Sequence, residues 1–465
     1  MSSTFFGLGV AYSGLSAQKR AMDVLAYNIA NANDPTYKRQ QTIQVEGAVL
    51  ATSQEASPLG NSAIGSGVTS GDVERIVDRL IENRLRDATT KSAQWDYTQN
   101  TLSQLETMLG EPSDTGLQND INVFWNAWQT VANTPKDESI RSSLLEDTSA
   151  MCERIQYQYG QMSDMIDDLN LAVVDSVNQI NLMAKEVGKL NNEIGALSSG
   201  EMPVNDLLNR RDALVQEIAK YMDVTVNGES GSDLVVSLGG NVLVQGTKVN
   251  LLTTETGTNG QQAVVWERDS QPVNINGGQL YATLQLRDET IPGYMQQLDD
   301  IATELVSTVN AAHHTGQTLT GVAGGDFFKA GTTAANISLD PNVASNPKLV
   351  AASGSDPTSA GAGNGDIAKA IANLKSTATS TGHTINEMYA TLIGDIGSSS
   401  ASAETQSEAS GLSLQQFTTQ QQAISGVSLD EEMTNMIKFQ QAYNAASRVL
   451  TVMDQMLQVL INTGT

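Results

Sequence analysis

Cysteine is almost missing from this sequence: Cys152 is the only one in 465 residues. That excludes an internal disulfide framework and any metal site built from several thiolates. Positive charge is also scarce, with 26 Lys and Arg against 52 Asp and Glu and a formal net charge of −26. Such a balance repels nucleic acid and anionic membrane surfaces and favours solubility. No run of about 18 apolar residues occurs, so no segment reads as a membrane-spanning helix. The first Lys is Lys19, so the N-terminus lacks the basic region and unbroken apolar core of a signal peptide. These absences alone would place the protein in the cytoplasm.

Catalytic constellations are lacking too. There is no H-E-x-x-H, no G-x-x-x-x-G-K-[ST] and no G-x-S-x-G. Histidine occurs only at His313, His314 and His383. The adjacent pair reads as a polar helix terminus, because a metal site needs a further ligand at defined spacing. "GAGNGD", Gly361 to Asp366, has neither the lysine nor the preceding strand of a phosphate loop and reads as a turn before a helix. The doublets Asp167–Asp168 and Asp299–Asp300 sit on helical patterns, where adjacent side chains diverge, so they read as solvated faces. Cys152 and the cluster Phe124, Trp125 and Trp128 read as core. An enzyme is not expected, and neither is a cofactor or metal.

What the chain does have is two apolar, helix-prone ends. From Leu8 to Asn33 the positions Leu8, Leu15, Met22 and Ile29 repeat every seven, with Ala11, Leu25 and Ala32 between them. At the other end Leu429, Met436, Tyr443, Leu450 and Leu457 are seven apart, interleaved with Phe439, Ala446, Met453 and Leu460. Both stripes belong to helices that pack lengthwise. The N-terminal helix runs out at "NIANANDPTYKRQ", where Asn28 and Asn31 precede Pro35, which disfavours helix at Asp34. Tyr37, Lys38 and Arg39 are expected to face a neighbouring subunit or the connecting arm beyond. Charges at the ends complement each other: residues 1–45 carry +2 and residues 427–465 carry −2.

Between the ends the period changes twice. A Ser-, Gly-, Ala- and Thr-rich arm covers 40–71. Helical patterning resumes at "GDVERIVDRLIENRL", breaks near Pro112, and continues through "INVFWNAWQTVANTP", a helix from Ser139, a long amphipathic stretch over 157–198, and "PVNDLLNRRDALVQEIAKYM". Period-two runs divided by Gly, Asn and Asp then predict an antiparallel β unit over 223–278. Helix returns with "PGYMQQLDDIATELVSTVNAAHH", and the last helices cover 366–374, 386–424 and 428–462.

The predicted fold is therefore mainly α with an inserted β-rich domain, in a multi-domain hairpin topology. Its N- and C-terminal helices pair as an inner coiled coil. The domains would be 1–45 with 425–465 as the inner core, and 46–222 with 279–424 as a mainly helical second domain that includes the arm. The β-rich outer domain would be 223–278, to which weak strands within 315–345 could add. Burying one Leu, Ile or Met is worth about 1.5–3 kcal/mol, while ordering each backbone residue costs about 1–2 kcal/mol. A lone two-helix pair is thus marginal, and the ends should order fully only when neighbours cover them.

These ends resemble the axial proteins of the bacterial flagellum, the family of rod, hook, hook-associated proteins and flagellin. "GLSAQKRAMDVLAYNIANANDPTYKRQ" is similar to their N-terminal signature at Gly14, Leu15, Ala17, Leu25, Asn28, Ile29, Ala30 and Asn31. The family's Thr-Pro-Gly-Tyr is here Asp34-Pro35-Thr36-Tyr37, which raises the question of a positive φ at Thr36. Inside the chain, "NDLLNRRDALVQEIAKYMDVTV" and "GGQLYATLQLRDETIPGYMQQLDDIATELVSTVNAAHHTGQTLTG" are similar to the hook–filament junction members. So are "FWNAWQTVANTPKDESIRSSLLEDTSAM" and Asp326–Phe328, whereas 329–410 looks shorter than in long members.

The resemblance implies a structural, extracellular subunit that packs with copies of itself in a ring at the distal end of the hook. It would bridge the hook protein to the second junction protein and the filament. Export would run through the flagellar type III apparatus without a cleaved signal, which displaces the cytoplasmic expectation. A dedicated export chaperone would hold the C-terminal helices. No nucleic acid or membrane insertion is implied. Packing residues would be Leu8, Leu15, Met22, Leu25, Ile29, Leu429, Met436, Phe439, Tyr443, Leu450, Met453, Leu457 and Leu460. The inner-domain exit would be Asn28, Asn31, Pro35 and Tyr37. The alternatives are another axial protein (hook protein or second junction protein), a secreted enzyme carried on axial termini, and a cytoplasmic coiled-coil module.

Overall fold

The computed structural model describes residues 5–47, 49–50, 64–111, 113–198, 204–228, 231–257, 260–355 and 363–463. The first helix, α1 (Phe5–Ala30), leads into an antiparallel hairpin of β1 (Gln40–Glu46) and β4 (Val68–Arg75). The short pair β2 (Val49–Leu50) and β3 (Ile64–Gly65) extends it. Of the arm read from its Ser and Gly content over 40–71, residues 48 and 51–63 lie outside the described residues, and the flanking strands form a paired ribbon with Gln40 opposite Arg75 and Glu46 opposite Val68. A bulge between Thr42 and Gln44 shifts its register.

Helix α2 (Arg79–Leu109) starts where the Asp78 carboxylate accepts from the backbone N–H groups of Leu80 and Ile81, and stops at Gly110, whose φ is +63°. Next come α3 (Leu117–Asn133) and α4 (Glu138–Ser198). The sequence suggested two helices across 139–198, but α4 is one element of 61 residues, about 90 Å long at 1.5 Å per residue. Its buried apolar residues hold one face throughout, while Tyr157, Leu171 and Leu182 are exposed. Helix α5 (Asn205–Tyr221) then hands over to β5 (Val224–Asn227), β6 (Val235–Leu238), β7 (Asn241–Gln245) and β8 (Lys248–Val249). These form a four-stranded antiparallel meander, and β9 (Leu252–Thr256) with β10 (Gln262–Trp266) makes a second small sheet.

Two cores lie side by side. The first gathers Phe124, Trp125 and Trp128 of α3 around Phe327 and Phe328, with α4 residues down to Leu169. The second begins at Val173 of the same helix and takes in Val215, Val236, Leu243, Trp266 and Leu280. The β unit therefore has no core of its own: its apolar face is completed by α4, by α5 and by α6 (Gly278–Gln285).

Helix α6 opens on Gly278 at φ +84°, where an added Cβ would lie 2.5 Å from the Tyr221 carbonyl carbon. Only glycine fits there. A π-helical turn, Leu286–Thr290, joins α6 to α7 (Ile291–His313). It buries Arg287, which donates to the Gln262 carbonyl at 2.7 Å and to Asn170 Oδ1 at 3.1 Å. One guanidinium thus ties β10, α4 and the π-turn at the boundary of the two cores.

Beyond α7 the chain is irregular, with α8 (Pro341–Ser345) and α9 (Asp366–Asn373). Residues 315–345 contribute isolated bridges, Gln317–Ala323 and Phe328–Leu339, rather than sheet strands. Of the "GAGNGD" stretch, Gly361 and Ala362 lie outside the described residues, and Asp366 opens α9 while accepting from the Gly354 N–H. Helix α10 (Ile385–Ser425) carries a Thr384–Glu387 capping box and packs along α2. The chain closes with α11 (Leu429–Thr463), which pairs with α1.

His313 corrects the reading of a polar helix terminus. It is fully buried, its ring 5.5 Å from Phe327 and 6.2 Å from Trp128. Nε2 accepts from the Ala351 N–H at 2.7 Å and Nδ1 meets the Gly325 carbonyl at 2.6 Å. That pair of partners selects the neutral tautomer protonated on Nδ1. His314, next to it, is exposed and reaches Asp326. Sequence pattern could not separate the two, because at a helix end one residue is 100° from the next.

Burial, the nearby His314 and the Arg141 guanidinium push the His313 pKa down to about 4, against the pull of the Gly325 carbonyl and Asp326. The folded state therefore disfavours the proton relative to an unfolded chain with its ordinary value near 6.5. The linked stability is complete above about pH 6.5 and falls as pH drops through that value towards 4, by up to about 3 kcal/mol. Denaturant titrations at pH 7 and pH 4.5 should show a shallower pH dependence for His313→Gln than for the parent chain. Parallel slopes would contradict this assignment.

Candidate functional site: the inner helix pair and its polar joint

Helices α1 and α11 run antiparallel. Gly7 lies against the Met453 side chain near one end, and Asn28 meets Glu432 at the other. The seam on α11 is half-buried at Met436, Phe439, Tyr443, Leu450, Met453 and Leu457. Leu429 stands outside it at 51 % exposure, as the first residue of the helix beyond the polar contact that ends the seam. The Leu460 side chain lies outside the described residues.

On α1, Leu25 is buried while Leu8, Leu15, Met22 and Ile29 are half-covered. The most enclosed apolar positions are smaller ones, Ala17 at 1 % and Ala21 at 2 % exposure. Heptad reading overlooked them because it weights large side chains. A second face of α11 is open, with Val449 and Val452 each 47 % and Met456 59 % exposed.

The joint is built on Asn28, which is fully buried. Its Nδ2 donates to the Gln40 carbonyl and to Glu432 Oε2, both at 2.9 Å. Its Oδ1 accepts from Tyr37 Oη at 2.7 Å and from the Gln40 N–H at 3.0 Å. All four hydrogen-bonding positions of the amide are used. One side chain thus holds the end of α1, the start of β1 and the first turn of α11.

Tyr37, Lys38 and Arg39, expected to face a neighbouring subunit or the connecting arm, are instead held against α1, α2 and α11 of the same chain. Tyr37 packs edge-on against Tyr27 at 5.8 Å, and burial holds its phenol well above the usual range. Lys38 is buried against Glu82 of α2 at 2.6 Å, and Gln421 of α10 donates to the same carboxylate at 3.0 Å. Arg39 reaches Glu432 at 2.7 Å and Glu431 at 3.0 Å. Desolvating such charges is costly unless each is paired, and here each is.

Asn31 donates to the Tyr27 carbonyl, capping the last turn, and Pro35 is exposed. At Thr36 no positive φ occurs: among the described residues only Ser270 has one without being glycine. Asp34 Oδ1 accepts from both the Thr36 hydroxyl and its N–H, which holds that carboxylate below its usual range. A side-chain turn therefore does the work that a glycine turn does elsewhere.

Helix α5 braces this joint. Tyr27 donates to Asp206, which pushes its phenol up to about 12, with burial adding to the shift. Asn205 donates to Gln40 Oε1 and to the Val73 carbonyl. Arg75 bridges to Asn209 and Asp212 at 3.0 and 2.7 Å. Gln40, Glu82, Asn205, Asp206 and Glu432 carried no local sequence signal, because their partners lie far along the chain.

Perturbed groups elsewhere serve packing. The Cys152 thiol is pushed up to about 12, chiefly by burial. Arg141, pushed down to about 10 by burial, donates to the carbonyls of Pro135 and Val350. Among the described residues no cluster of three or more His, Cys, Asp or Glu side chains could hold a metal.

Comparison with known proteins agrees with this geometry. Residues 102–328 match the "Flagellar hook-associated protein FlgK helical domain". Residues 8–38 match the "Flagella basal body rod protein" family, and 420–463 match the "Flagellar basal body rod FlgEFG protein C-terminal" family. The two rod matches fall on the paired helices. The chain is similar to flagellar hook-associated protein 1 of Bacillus subtilis (strain 168), 28 % identical over 99 % of each chain. Its counterpart in Escherichia coli (strain K12) is also 28 % identical, over 97 % of this chain and 98 % of that one. A solved structure, the flagellar hook junction protein FlgK from Burkholderia pseudomallei, shares the fold with a TM-score of 0.65 at 17 % identity. It covers 74 % of this chain and all of its own.

Rod-type sequences on the paired terminal helices, with a hook-associated helical domain between them, mark an axial component of the bacterial flagellum. Within that class the chain is similar over its full length to flagellar hook-associated protein 1, and its central helices match that protein's helical domain.

Asn28→Ala would strip partners from the Gln40 N–H and carbonyl, the Tyr37 hydroxyl and one Glu432 oxygen. Each buried orphan costs about 1–3 kcal/mol. Amide exchange at Gln40 and in the first turn of α11 should accelerate at least tenfold while α4 is unchanged. Asn28→Asp should do no better, since it turns two donors into acceptors facing a carbonyl and a carboxylate. Unaltered exchange in either variant would contradict the role given to Asn28.

Proposed function

We propose that this chain is a structural subunit that assembles at the distal end of the hook and joins the hook to the filament. The observation that carries this reading is the combination of rod-type sequences on the paired ends with a hook-associated helical domain between them. Its organisation is then an inner domain of 1–45 with 425–465, a helical body of 46–222 with 279–424, and a β unit at 223–278. The half-covered seam residues and the open face of α11 serve packing against copies of the chain in a ring. Leu8, Leu15, Met22, Leu25, Ile29, Met436, Phe439, Tyr443, Leu450, Met453 and Leu457 line the pair, while Asn28, Asn31, Pro35 and Tyr37 turn the chain out of it.

Its neighbours are the hook protein on one side and the second junction protein, then the filament, on the other. It leaves the cell through the flagellar type III apparatus, and before export a chaperone covers the apolar surface of α11. A structural rather than catalytic role is supported by Cys152, His313 and Arg141, whose reactive atoms are taken up by core packing and by backbone N–H and carbonyl groups.

Deleting the gene should leave cells with hooks but no attached filaments, and flagellin should collect in the medium. Complementation with the intact chain should restore filaments. Normal filaments in the deletion strain would rule the junction role out.

A further inference from the structure

The inner domain is a layer of three elements with unlike outer sides. Gly7 of α1 meets Met453 of α11, while Val10 and Ser13 of α1 meet Gly67 and Val68 at the edge of the hairpin. At 100° per residue, those contacts lie 60–120° apart round α1. Helix α1 thus packs on both α11 and the hairpin from neighbouring faces, and each of those two keeps an exposed side of its own.

The two open sides differ in chemistry. The outer side of α11 carries Val449, Val452 and Met456 together with the exposed bases Lys438 and Arg448. Asp454 is two residues from both Val452 and Met456 and so lies on another face. The hairpin exposes Val45, 52 % accessible, on the same face as the exposed acids Asp72 and Glu74. Its base, Arg75, is turned inward to Asp212.

We propose that the outer face of α11 is covered by the β1–β4 hairpin of a second copy of this chain. This deepens, and rests on, the reading of the inner domain as a self-packing unit. Charge complementarity favours it, since acids on the ribbon meet bases on the helix around an apolar strip. Dimensions agree as well: a strand of seven or eight residues spans about 24–27 Å, and Lys438 to Met456 spans about 27 Å of helix. Pairing α11 with α11 across a two-fold axis would instead crowd Lys438 and Arg448 of both copies together. A helix-to-hairpin contact is heterologous, so every copy offers one free side of each kind and the contact propagates into a ring or helix.

The test uses full-length chains added to purified hooks from the deletion strain. One preparation carries Val45→Cys, another Val452→Cys, and a thiol crosslinker of about one helix diameter, ~10 Å, is applied after incorporation. Cys152 is buried and remains unreactive. A crosslinked dimer should form when the two variants are incorporated together and should be absent with either alone. Arg448→Glu should lower incorporation at least tenfold, and combining it with Glu74→Arg should recover most of it. Incorporation without the mixed crosslink, or a dimer from Val452→Cys alone, overturns this interface and leaves the junction reading standing. Failure of the unmodified chain to incorporate on hooks overturns both.

Discussion

One carboxamide, that of Asn28, decides how the inner domain is tied to everything else. Its two donors and two acceptors are spent on three segments that are otherwise remote: the exit of α1, the first residue of β1 and the first turn of α11. Around it the charges are matched rather than merely accumulated. Lys38 goes to Glu82, Arg39 to Glu431 and Glu432, and Arg75 to Asp212. A polar joint whose buried charges are each paired is specific in a way that an apolar one is not, because any other register leaves those charges alone. The angle at which the helix pair leaves the body is set there.

Rigidity is distributed unevenly on either side of that joint. Outward, α4 runs unbroken through both cores, and Arg287 in the π-turn staples β10 to α4. The β unit therefore moves with the helical body. Inward, α1 and α11 touch along a seam whose α11 residues are only half-buried, and one face of α11 has no cover among the described residues. Apolar surface of that kind stabilises when another surface removes it from water. A subunit with a finished body and an unfinished pair of ends suits a polymer.

Much of this was legible in sequence. The seven-residue spacing of Met436, Tyr443, Leu450 and Leu457 marks the covered side of α11, and the change from period 3.6 to period 2 near Asp223 marks the start of the strands. The joint was not legible. Asn28 and Glu432 are 404 positions apart, Arg39 and Glu431 are 392 apart, and Lys38 and Glu82 are 44 apart. Local pattern therefore points Tyr37, Lys38 and Arg39 at a neighbouring subunit or the arm and away from these partners. His313 failed for the related reason that its partners, Gly325 and Ala351, lie in irregular chain. The Ala17 and Ala21 contacts were hidden by their small size.

The central claim is that the inner pair is held at its joint by the chain itself but completed along its length only by neighbouring copies. Hydrogen–deuterium exchange of the dilute monomer against the hook-incorporated protein tests it most directly. The account predicts fast exchange over residues 1–40 and 427–465 in the monomer, slowest next to Asn28 and Glu432, and strong protection of the same residues after incorporation. Full protection of both ends in the dilute monomer would contradict it.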